Sequence, residues 1–303
     1  MKTLLCILLA VACLIASAAA QVVPGAPPSA PRKKSAAAPT KETPKAPPAS
    51  PTHGSPALFV DVTQAAGIDF HLNCGSKEKL YIVETQCGGA AAFDYDNDGW
   101  MDILLVDGSS VEDYRAGKCH PPRLYHNNHD GTFTDVSDKS GVGKPESKGM
   151  GIVIADFNND GWPDIAIAND TWPNFLFLNK HDGTFQDVSF VSGLAASEDG
   201  RYEAGMGIDA ADVDGDGWQD VYVTHLDFEL NRLYHNNGDG TFDDYTYRSG
   251  IGNKAILLSG VSMKFLDFDN DGWPDILQLN GAMLDNVNPV SYTHLTLPTI
   301  YSV

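Results

Sequence analysis

Basic residues are scarce in this chain of 303 residues, which has 20 lysines and arginines against 40 aspartates and glutamates and a formal net charge of −20. Residues 1–56 hold six of the basic residues and one of the acidic ones, which leaves 14 and 39 for residues 57–303, a charge of −25. So negative a surface argues against nucleic acid and anionic membranes as partners, because both bind basic surfaces. The same surface favours cations.

Long hydrophobic runs are also missing. The apolar run 4–16 is too short for a comfortable membrane-spanning helix. It follows Lys2 and precedes an Ala-x-Ala site, so residues 1–20 are predicted to be a secretory signal cleaved after Ala20. No membrane insertion of the mature chain is then expected, and a lipid anchor at Cys13 is the weaker alternative. The product would be secreted, periplasmic or on the cell surface.

Cysteine is sparse as well, with only Cys74, Cys87 and Cys119 beyond the predicted signal. In an oxidising compartment three cysteines allow one disulfide and one thiol. Cys74–Cys87 is the preferred pair because it closes a short loop, but the connectivity stays open. The paired C-x-x-C spacing of a zinc site is absent, as are a G-x-S-x-G elbow and a phosphate-binding loop.

What the sequence has in abundance is a nine-residue aspartate motif, repeated four times at intervals of 55 to 62 residues. The copies read DYDNDGWMD at 94–102, DFNNDGWPD at 156–164, DVDGDGWQD at 212–220 and DFDNDGWPD at 267–275. A second string, with the core LYHN-x-x-DGTF, recurs at 123–142, 174–194 and 231–251, and its tail alone appears at 59–68. Two interleaved motifs with a steady period indicate a repeat protein.

Each repeat has the pattern of short β-strands. Small apolar runs precede the aspartate motifs, apolar strands follow them, and Asp-Gly in the second string favours a tight hairpin. About four strands per repeat predict an all-β fold, a β-propeller of four-stranded blades over residues 57–289 with about four repeats in an incomplete ring. An alternative is that FVDVT at 59–63 completes the last blade of a four-bladed ring. Residues 21–56 are predicted to be a Pro/Ala-rich disordered linker.

The spacing within the aspartate motif predicts a metal site. Counted from the first aspartate, oxygen-bearing side chains recur at positions 1, 3, 5 and 9, glycine at position 6 allows a bend, and tryptophan at position 7 offers its carbonyl. Such a set forms an all-oxygen shell for a hard cation, and Ca²⁺ is predicted at up to four sites. The predicted ligands are Asp94, Asp96, Asp98, Trp100, Asp102, Asp156, Asn158, Asp160, Trp162, Asp164, Asp212, Asp214, Asp216, Trp218, Asp220, Asp267, Asp269, Asp271, Trp273 and Asp275.

Two other interpretations fit these loops less well. Asp and Asn are ordinary turn residues, but two carboxylates about 5 Å apart at an effective dielectric near 20 repel by roughly 3 kcal/mol, which favours a bound dication. An EF-hand would need Glu at position 12, where this chain has Leu105, Ile167, Val223 and Gln278. Asn158 lowers the charge of the second loop, so its site is expected to be the weakest.

These motifs carry a resemblance. The loops, the G-x-A-x-x-D-x-D lead-in and LY-x-N-x-x-DGTF-x-DV-x-x-x-SG resemble the FG-GAP/VCBS repeats of integrin-α-like β-propellers, over about 59–288. ETQCGGAAAFDYDNDG and LYHNNHDGTFTDVSDKSGV are similar to the cartilage acidic protein 1 family of exported bacterial proteins. The resemblance implies calcium-stabilised blades and a ligand-binding or adhesion role with no known enzymatic activity. The tail 290–303 matches neither motif, which suggests an artefactual end on a truncated chain.

The histidines divide into repeated and unrepeated ones. His126 and His235 occupy matching places, as do His129 and His181, which indicates structural residues; His71, His120 and His225 are unrepeated and are candidates for lining a face. The leading hypothesis is an adhesion or recognition module whose partner is an extracellular protein or glycan. The alternatives are an enzyme acting on polysaccharide from a propeller scaffold, and a spacer without a ligand.

Overall fold

The computed structural model describes residues 59–73, 88–108, 113, 116, 118, 120–143, 147–252, 256 and 259–281. The chain divides into two units, Met1–Val62 and Thr63–Val303, and every helix and strand below lies in the second. The predicted signal 1–20, the linker 21–56, the tail 290–303 and the three cysteines considered for a disulfide lie outside the described residues, so these expectations remain predictions.

The described elements are almost entirely strands. They are β1 Gly89–Phe93, β2 Asp102–Val106, β3 Arg123–Asn127, β4 Phe133–Asp135, α1 Ser137–Ser140, β5 Gly149–Ala155, β6 Asp164–Asn169, β7 Phe175–Asn179, β8 Phe185–Asp187, β9 Ile208–Ala211, β10 Asp220–Val223, β11 Arg232–Asn236, β12 Phe242–Asp244, β13 Ser259–Leu266 and β14 Asp275–Gly281. The helix is a single turn that ends at Gly141 in a left-handed conformation, φ 85°.

The strands form one antiparallel sheet per repeat. Three sheets have four strands in sequential order, and we call them blade 1 (β1–β4), blade 2 (β5–β8) and blade 3 (β9–β12). In the fourth repeat the described residues form the pair β13–β14. The all-β, propeller-like architecture of four-stranded blades predicted from the repeat is confirmed. The position-12 residues that excluded an EF-hand all lie in second strands, namely Leu105, Ile167, Val223 and Gln278.

Neighbouring blades meet along their first strands, with β1 beside β5, β5 beside β9 and β9 beside β13. Glycine permits this approach. A Cβ at Gly151 of β5 would lie 2.5 Å from Met206 O, and one at Gly207 would lie 2.8 Å from Ser262 Cα. The small residues ahead of each aspartate motif therefore set the spacing between blades.

Three apolar clusters fill the spaces between successive blades. Leu104 and Leu124 of blade 1 pack with Ile165 and Phe177 of blade 2 in the first cluster. The second cluster joins blade 2 to blade 3. The third joins blade 3 to the fourth repeat and includes Phe265, which is 8% exposed. Because each cluster lies between two blades, each blade depends on its neighbour for its core.

The segment before blade 1 bears on the alternative of a four-bladed ring. Phe59–Thr63 forms no strand. Ala66 O instead accepts a hydrogen bond from Phe133 N of β4 at 2.7 Å, as Ser192 O does from Phe242 N of β12. Residues 63–68 thus occupy on blade 1 the place that the tail of the second repeat's string occupies on blade 3. FVDVT therefore has no strand of its own in the described residues, and its pairing with the last repeat remains only the alternative drawn from the sequence. None of the helices in the described part of the chain is long and apolar enough to cross a membrane.

Candidate metal centres

The four aspartate motifs form the hairpin loops between the first and second strands of the repeats. Each loop has two residues with left-handed backbone: glycine at position 6, with φ from 87° to 93°, and Asn97, Asn159, Gly215 or Asn270 at position 4, with φ from 54° to 79°. Asparagine and glycine adopt this conformation at least cost. The bend at position 6 was expected from the sequence. The one at position 4 was overlooked, although the recurring Asn or Gly was its signal.

The carboxylate at position 1 holds each loop together. In the first loop Asp94 Oδ1 accepts from Asp98 N at 3.0 Å and Asp94 Oδ2 accepts from Gly99 N at 2.8 Å. The same pair of bonds recurs in the other three loops. The carboxylate at position 5 accepts from the tryptophan N at position 7, at 2.8 to 2.9 Å. These bonds are those of turn-forming aspartates, so the loops are ordered by their own side chains.

The carboxylates at positions 1, 3 and 5 nevertheless converge. Oxygens of Asp94, Asp96 and Asp98 lie within 4.8 Å of one another, and those of the group Asp212, Asp214 and Asp216 do the same. Asp96 Oδ1 is buried and has no hydrogen-bond partner. An all-oxygen group with a buried, unpartnered oxygen fits a hard cation such as Ca²⁺. In the second loop the Asn158 amide donates to Asp160 Oδ2 at 2.8 Å, so a neutral group replaces one carboxylate there.

The aspartate at position 9 lies in a different environment from the side chains at positions 1, 3 and 5 of the same loop. Asp102, Asp164 and Asp220 are fully buried at the start of the second strand. Asp164 Oδ2 accepts from Phe157 N at 3.0 Å and its Oδ1 accepts from Asn179 N at 2.8 Å. Corresponding bonds are made by the other two. Position 9 therefore ties the loop to the third strand, a role that the sequence did not reveal. Metal ligation by this residue remains a prediction.

Aromatic rings enclose the loops in blades 1 and 2. Trp100 stacks on His129 with ring centroids 5.0 Å apart, and Trp162 stacks on His181 at 4.7 Å. His129 Nε2 lies 2.5 Å from Asp98 Oδ2, at position 5 of the first loop. The sequence assigned these tryptophans a carbonyl ligand and the histidines a structural place. The carbonyl role remains a prediction, whereas the contacts of the rings were missed, because they join residues from two different hairpins.

The repeat that carries these loops also has a recognisable sequence profile. The FG-GAP-like repeat matches three overlapping stretches, residues 94–167, 156–223 and 212–277, which together cover more than half of the chain. The chain belongs to the FG-GAP-like repeat family. This confirms the resemblance drawn from the motifs.

Relatives of this FG-GAP-like chain include two kinds of vertebrate protein. Human cartilage acidic protein 1 is 29% identical over 187 residues, which cover 59% of this chain and 27% of the relative. Integrin alpha-3 of Cricetulus griseus is 25% identical over 156 residues, covering 46% of this chain and 14% of the relative. The chain thus spans about a quarter of the length of the cartilage acidic protein 1 relatives. Neither name denotes an enzyme, and membership of a bacterial branch remains an expectation.

Two solved structures share weaker likeness with the FG-GAP-like repeats. An Agrocybe aegerita lectin that recognises non-reducing terminal N-acetylglucosamine is 21% identical, with a TM-score of 0.35 over 64% of this chain and 46% of the lectin. Rhamnogalacturonan lyase YesW is 16% identical, also with a TM-score of 0.35, over 63% of this chain and 28% of the lyase. TM-scores this low do not establish a shared arrangement of blades.

The ends of the FG-GAP-like blades that lie away from the aspartate loops carry unrepeated residues. A cavity of about 220 Å³ in the second unit is lined by Asp199, Arg201, Tyr202, Glu203, Phe228, Glu229, Leu230 and Arg232. Two aromatic side chains are exposed at this cavity: Tyr202 at 46% and Phe228 at 71%. The guanidinium of Arg232 donates to Glu203 at 2.6 and 2.8 Å and to Asp244 at 2.8 Å, so two of the lining side chains are joined by charge-assisted hydrogen bonds.

The unrepeated histidines are not a single surface feature. His120 Nδ1 lies 3.0 Å from the Asn73 amide, whose Nδ2 also donates to Asp107 at 2.6 Å. His225 is 1% exposed, and burial, with Arg232 nearby, lowers the pKa of His225 to about 3, which keeps its ring neutral. The expectation that His225 is a candidate for lining a face is wrong, because its side chain is enclosed.

The buried position-9 aspartates predict an unusual pH dependence of the metal-free chain. Burial raises the pKa of Asp164 to about 7 and that of Asp102 to about 6, above the value of about 3.9 expected in the unfolded chain. The folded state then binds protons more tightly, so this contribution is fully present below pH 4 and is lost as the pH rises through 6 to 7. His225 acts in the opposite direction, because its folded pKa is depressed.

The Asp164→Asn variant isolates one such group. Between pH 7.5 and pH 5.0 the metal-free wild type should gain about 2 kcal/mol more unfolding free energy than the variant, at about 1.4 kcal/mol per pKa unit. The contribution of His225 is common to both chains and cancels. Urea unfolding at the two pH values measures the difference. Equal pH dependence in the two chains would contradict a raised pKa at Asp164.

Proposed function

We propose that this chain is an exported, calcium-binding β-propeller module that acts in adhesion or ligand recognition. Calcium would be held at each aspartate loop by the side chains at positions 1, 3, 5 and 9 and the carbonyl at position 7. The observation that carries the metal part is the convergence of Asp94, Asp96 and Asp98 to within 4.8 Å around a buried oxygen of Asp96 that has no partner. Calcium takes six to eight such oxygens.

The ion would act as a structural link between chain segments. Each loop joins a first strand to a second strand, and its position-9 aspartate bonds to the third strand, as Asp102 does with Asn127 N at 2.7 Å. A dication at the loop would neutralise the charge that these carboxylates concentrate. Its binding to the folded state alone would stabilise the blade by mass action.

Recognition is assigned to the ends of the blades away from the aspartate loops. Repeat scaffolds place their variable residues in connecting loops, and here those loops form the cavity bordered by Tyr202 and Phe228. Exposed aromatic rings beside charged side chains suit a protein or glycan surface. Relatedness to integrin alpha-3 supports an adhesive role. Export is supported by the signal pattern at 1–20, and no catalytic residue is assigned.

The recognition role predicts a calcium-dependent binder whose affinity depends on the cavity. The full chain would be applied to glycan and extracellular-protein arrays in 2 mM calcium. This concentration is of the order of the dissociation constants of the weakest extracellular calcium sites. For any ligand retained, the double variant Tyr202→Ala, Phe228→Ala should bind about tenfold or more weakly, because buried aromatic anchors carry much of an interface.

The matched control is the double variant Phe190→Ala, Tyr247→Ala. These rings are as exposed, at 66% and 64%, but do not line the cavity. Affinity lost equally in both variants would contradict the assigned site. A retained polysaccharide that the chain also cleaves would favour the alternative of a propeller-scaffold enzyme.

A further inference from the structure

A histidine from the third strand reaches the aspartate loop in two of the three complete blades. His126 of β3, Leu178 of β7 and His235 of β11 occupy the same register position, since each lies opposite the middle residue of the fourth strand. The blades therefore differ in whether a nitrogen donor lies beside the carboxylates.

In blade 1 the imidazole lies among carboxylates without being hydrogen-bonded to them. His126 Nδ1 is 3.3 Å from Asp96 Oδ2 and 3.4 Å from Asp102 Oδ1. His126 Nδ1 and Asp96 Oδ1 are both buried and have no hydrogen-bond partner. Buried polar atoms are nearly always partnered, so two unpartnered atoms in one small group indicate a missing partner that both can bind.

The spacing and the donor atoms match a particular class of ion. Two ligands bound at 2.0 to 2.1 Å with tetrahedral angles are about 3.3–3.4 Å apart, which is the separation of His126 Nδ1 from both carboxylates. Calcium takes oxygen ligands, whereas imidazole is a ligand for zinc and similar divalent transition ions. We propose that blade 1 binds Zn²⁺, or a divalent transition ion with the same ligand preference, through His126 Nδ1, Asp96 and Asp102.

A further pair of donors lies beside this site. Asp98, His126 and His129 form an overlapping group whose ligand atoms lie within 4.8 Å of one another. A fourth ligand is therefore available from the neighbouring hairpin. Because Asp96 and Asp102 are also among the proposed calcium ligands of the first loop, zinc and calcium would compete there. The zinc site depends on the imidazole and not on the proposed recognition role.

The other two complete blades have fewer free donor atoms for zinc than blade 1. In blade 3 the group is Asp214, Asp220 and His235, but His235 Nδ1 is already 3.0 Å from Asp220 Oδ1 in a hydrogen bond. The place of His129 is taken there by Gly238, against which the Trp218 ring packs. In blade 2 the strand position is Leu178 and loop position 3 is Asn158, which removes two of the three donors. The chain thus contains its own negative control.

Cobalt(II) tests the site, because tetrahedral Co²⁺ with a nitrogen ligand absorbs visible light far more strongly than octahedral Co²⁺ bound by oxygen. The untagged, metal-free full chain is titrated with Co²⁺, and Zn²⁺ is then added to displace it. The wild type should develop the intense bands. His126→Leu, which copies blade 2, should lower the cobalt affinity of the blade 1 site about tenfold or more. Even groups that only orient a ligand are worth about 10–100-fold in metal affinity. His71→Leu, an exposed histidine elsewhere, should leave the titration unchanged.

Folding of each variant is checked by its thermal midpoint, and its response to calcium is recorded separately. A His126→Leu chain that still responds to calcium but lacks the cobalt bands supports the proposal. Intense bands that persist in His126→Leu, His235→Leu would come from ligands other than these two imidazoles and would overturn it. If His126→Leu does not fold, the double variant Asn158→Asp, Leu178→His decides: it should gain one equivalent of tetrahedral Co²⁺, and no gain would overturn the proposal.

Discussion

Removing divalent ions from the chain at pH 7.5 is expected to lower the midpoint of thermal unfolding by about 5–20 °C. At extracellular affinities of about 10⁻⁴–10⁻³ M, millimolar calcium contributes about 0.4–1.5 kcal/mol per site. Four sites then contribute about 2–6 kcal/mol, and each kcal/mol shifts the midpoint of a domain of this size by about 2–4 °C. Calorimetry of the chain with calcium and after chelation measures the shift.

The close spacing of the carboxylates explains why removing calcium should lower the thermal midpoint so much. Three carboxylates of one loop lie within 4.8 Å of one another, as in the group Asp212, Asp214 and Asp216. Without a dication their repulsion opposes the loop conformation that the main-chain hydrogen bonds favour. Sodium chloride at equal ionic strength should replace only a small part of the calcium effect, because screening acts weakly at such short range.

Single substitutions separate calcium ligation from turn formation. Asp214→Asn should remove up to about a quarter of the calcium-dependent gain, since one of four proposed sites loses a charged ligand. Asp239→Asn is the control: Asp239 is an exposed aspartate in the adjacent hairpin that accepts from Thr241 N at 3.0 Å and lies outside the loops. A midpoint that is unchanged by chelation would leave the aspartates as turn residues only, and the calcium proposal would fail.

The sequence predicts the parts of this fold that depend on local spacing. The period of the aspartate motif predicts the blades, and the Asp-Gly turns predict the hairpins that lead into β4, β8 and β12. The convergence of positions 1, 3 and 5 follows from their spacing within one loop. Gly99 and its counterparts were expected to bend the chain, and each has positive φ.

Contacts that depend on the neighbouring strand or blade were not predicted. His126 was interpreted as a structural residue, because nothing in its spacing shows that the register of β3 places it 3.3 Å from Asp96. Asp102 was placed with the metal ligands, and its burial and its bonds to main-chain N–H groups depend on where β3 ends. The sequence does contain one usable signal for a structural residue at the end of the third strand. Asparagine ends this strand in every complete blade, even where the preceding residue changes from His to Leu: Asn127, Asn179 and Asn236.

Replacing one of these asparagines is expected to be among the most destabilising single changes in the chain. The Asn236 side chain is fully buried at the end of β11. Its Nδ2 donates to Phe157 O of the preceding blade at 2.9 Å and to Gln219 O of its own blade at 3.2 Å, and its Oδ1 accepts from Gly238 N at 3.1 Å. One amide thus joins the aspartate loops of two blades to the hairpin that follows β11. Asn179 makes the same connection to Tyr95 O of blade 1 at 2.8 Å.

Asn236→Ala should lower the unfolding free energy by about 2–4 kcal/mol, because buried main-chain groups that lose their partner cost about 1–3 kcal/mol each. Asn237→Ala is the matched control. Asn237 is the next residue and exposed, and its amide reaches only Thr241 Oγ1 at 3.0 Å. Its removal should change stability by about 0.5 kcal/mol or less. Urea unfolding in saturating calcium measures both variants, and similar losses in the two would contradict the role of Asn236 between blades. Asn236 N also donates to Asp220 Oδ1 at 2.8 Å. The calcium concentration at the midpoint of a titration of Asn236→Ala therefore shows whether the contact of Asn236 between blades is coupled to calcium binding at the third aspartate loop.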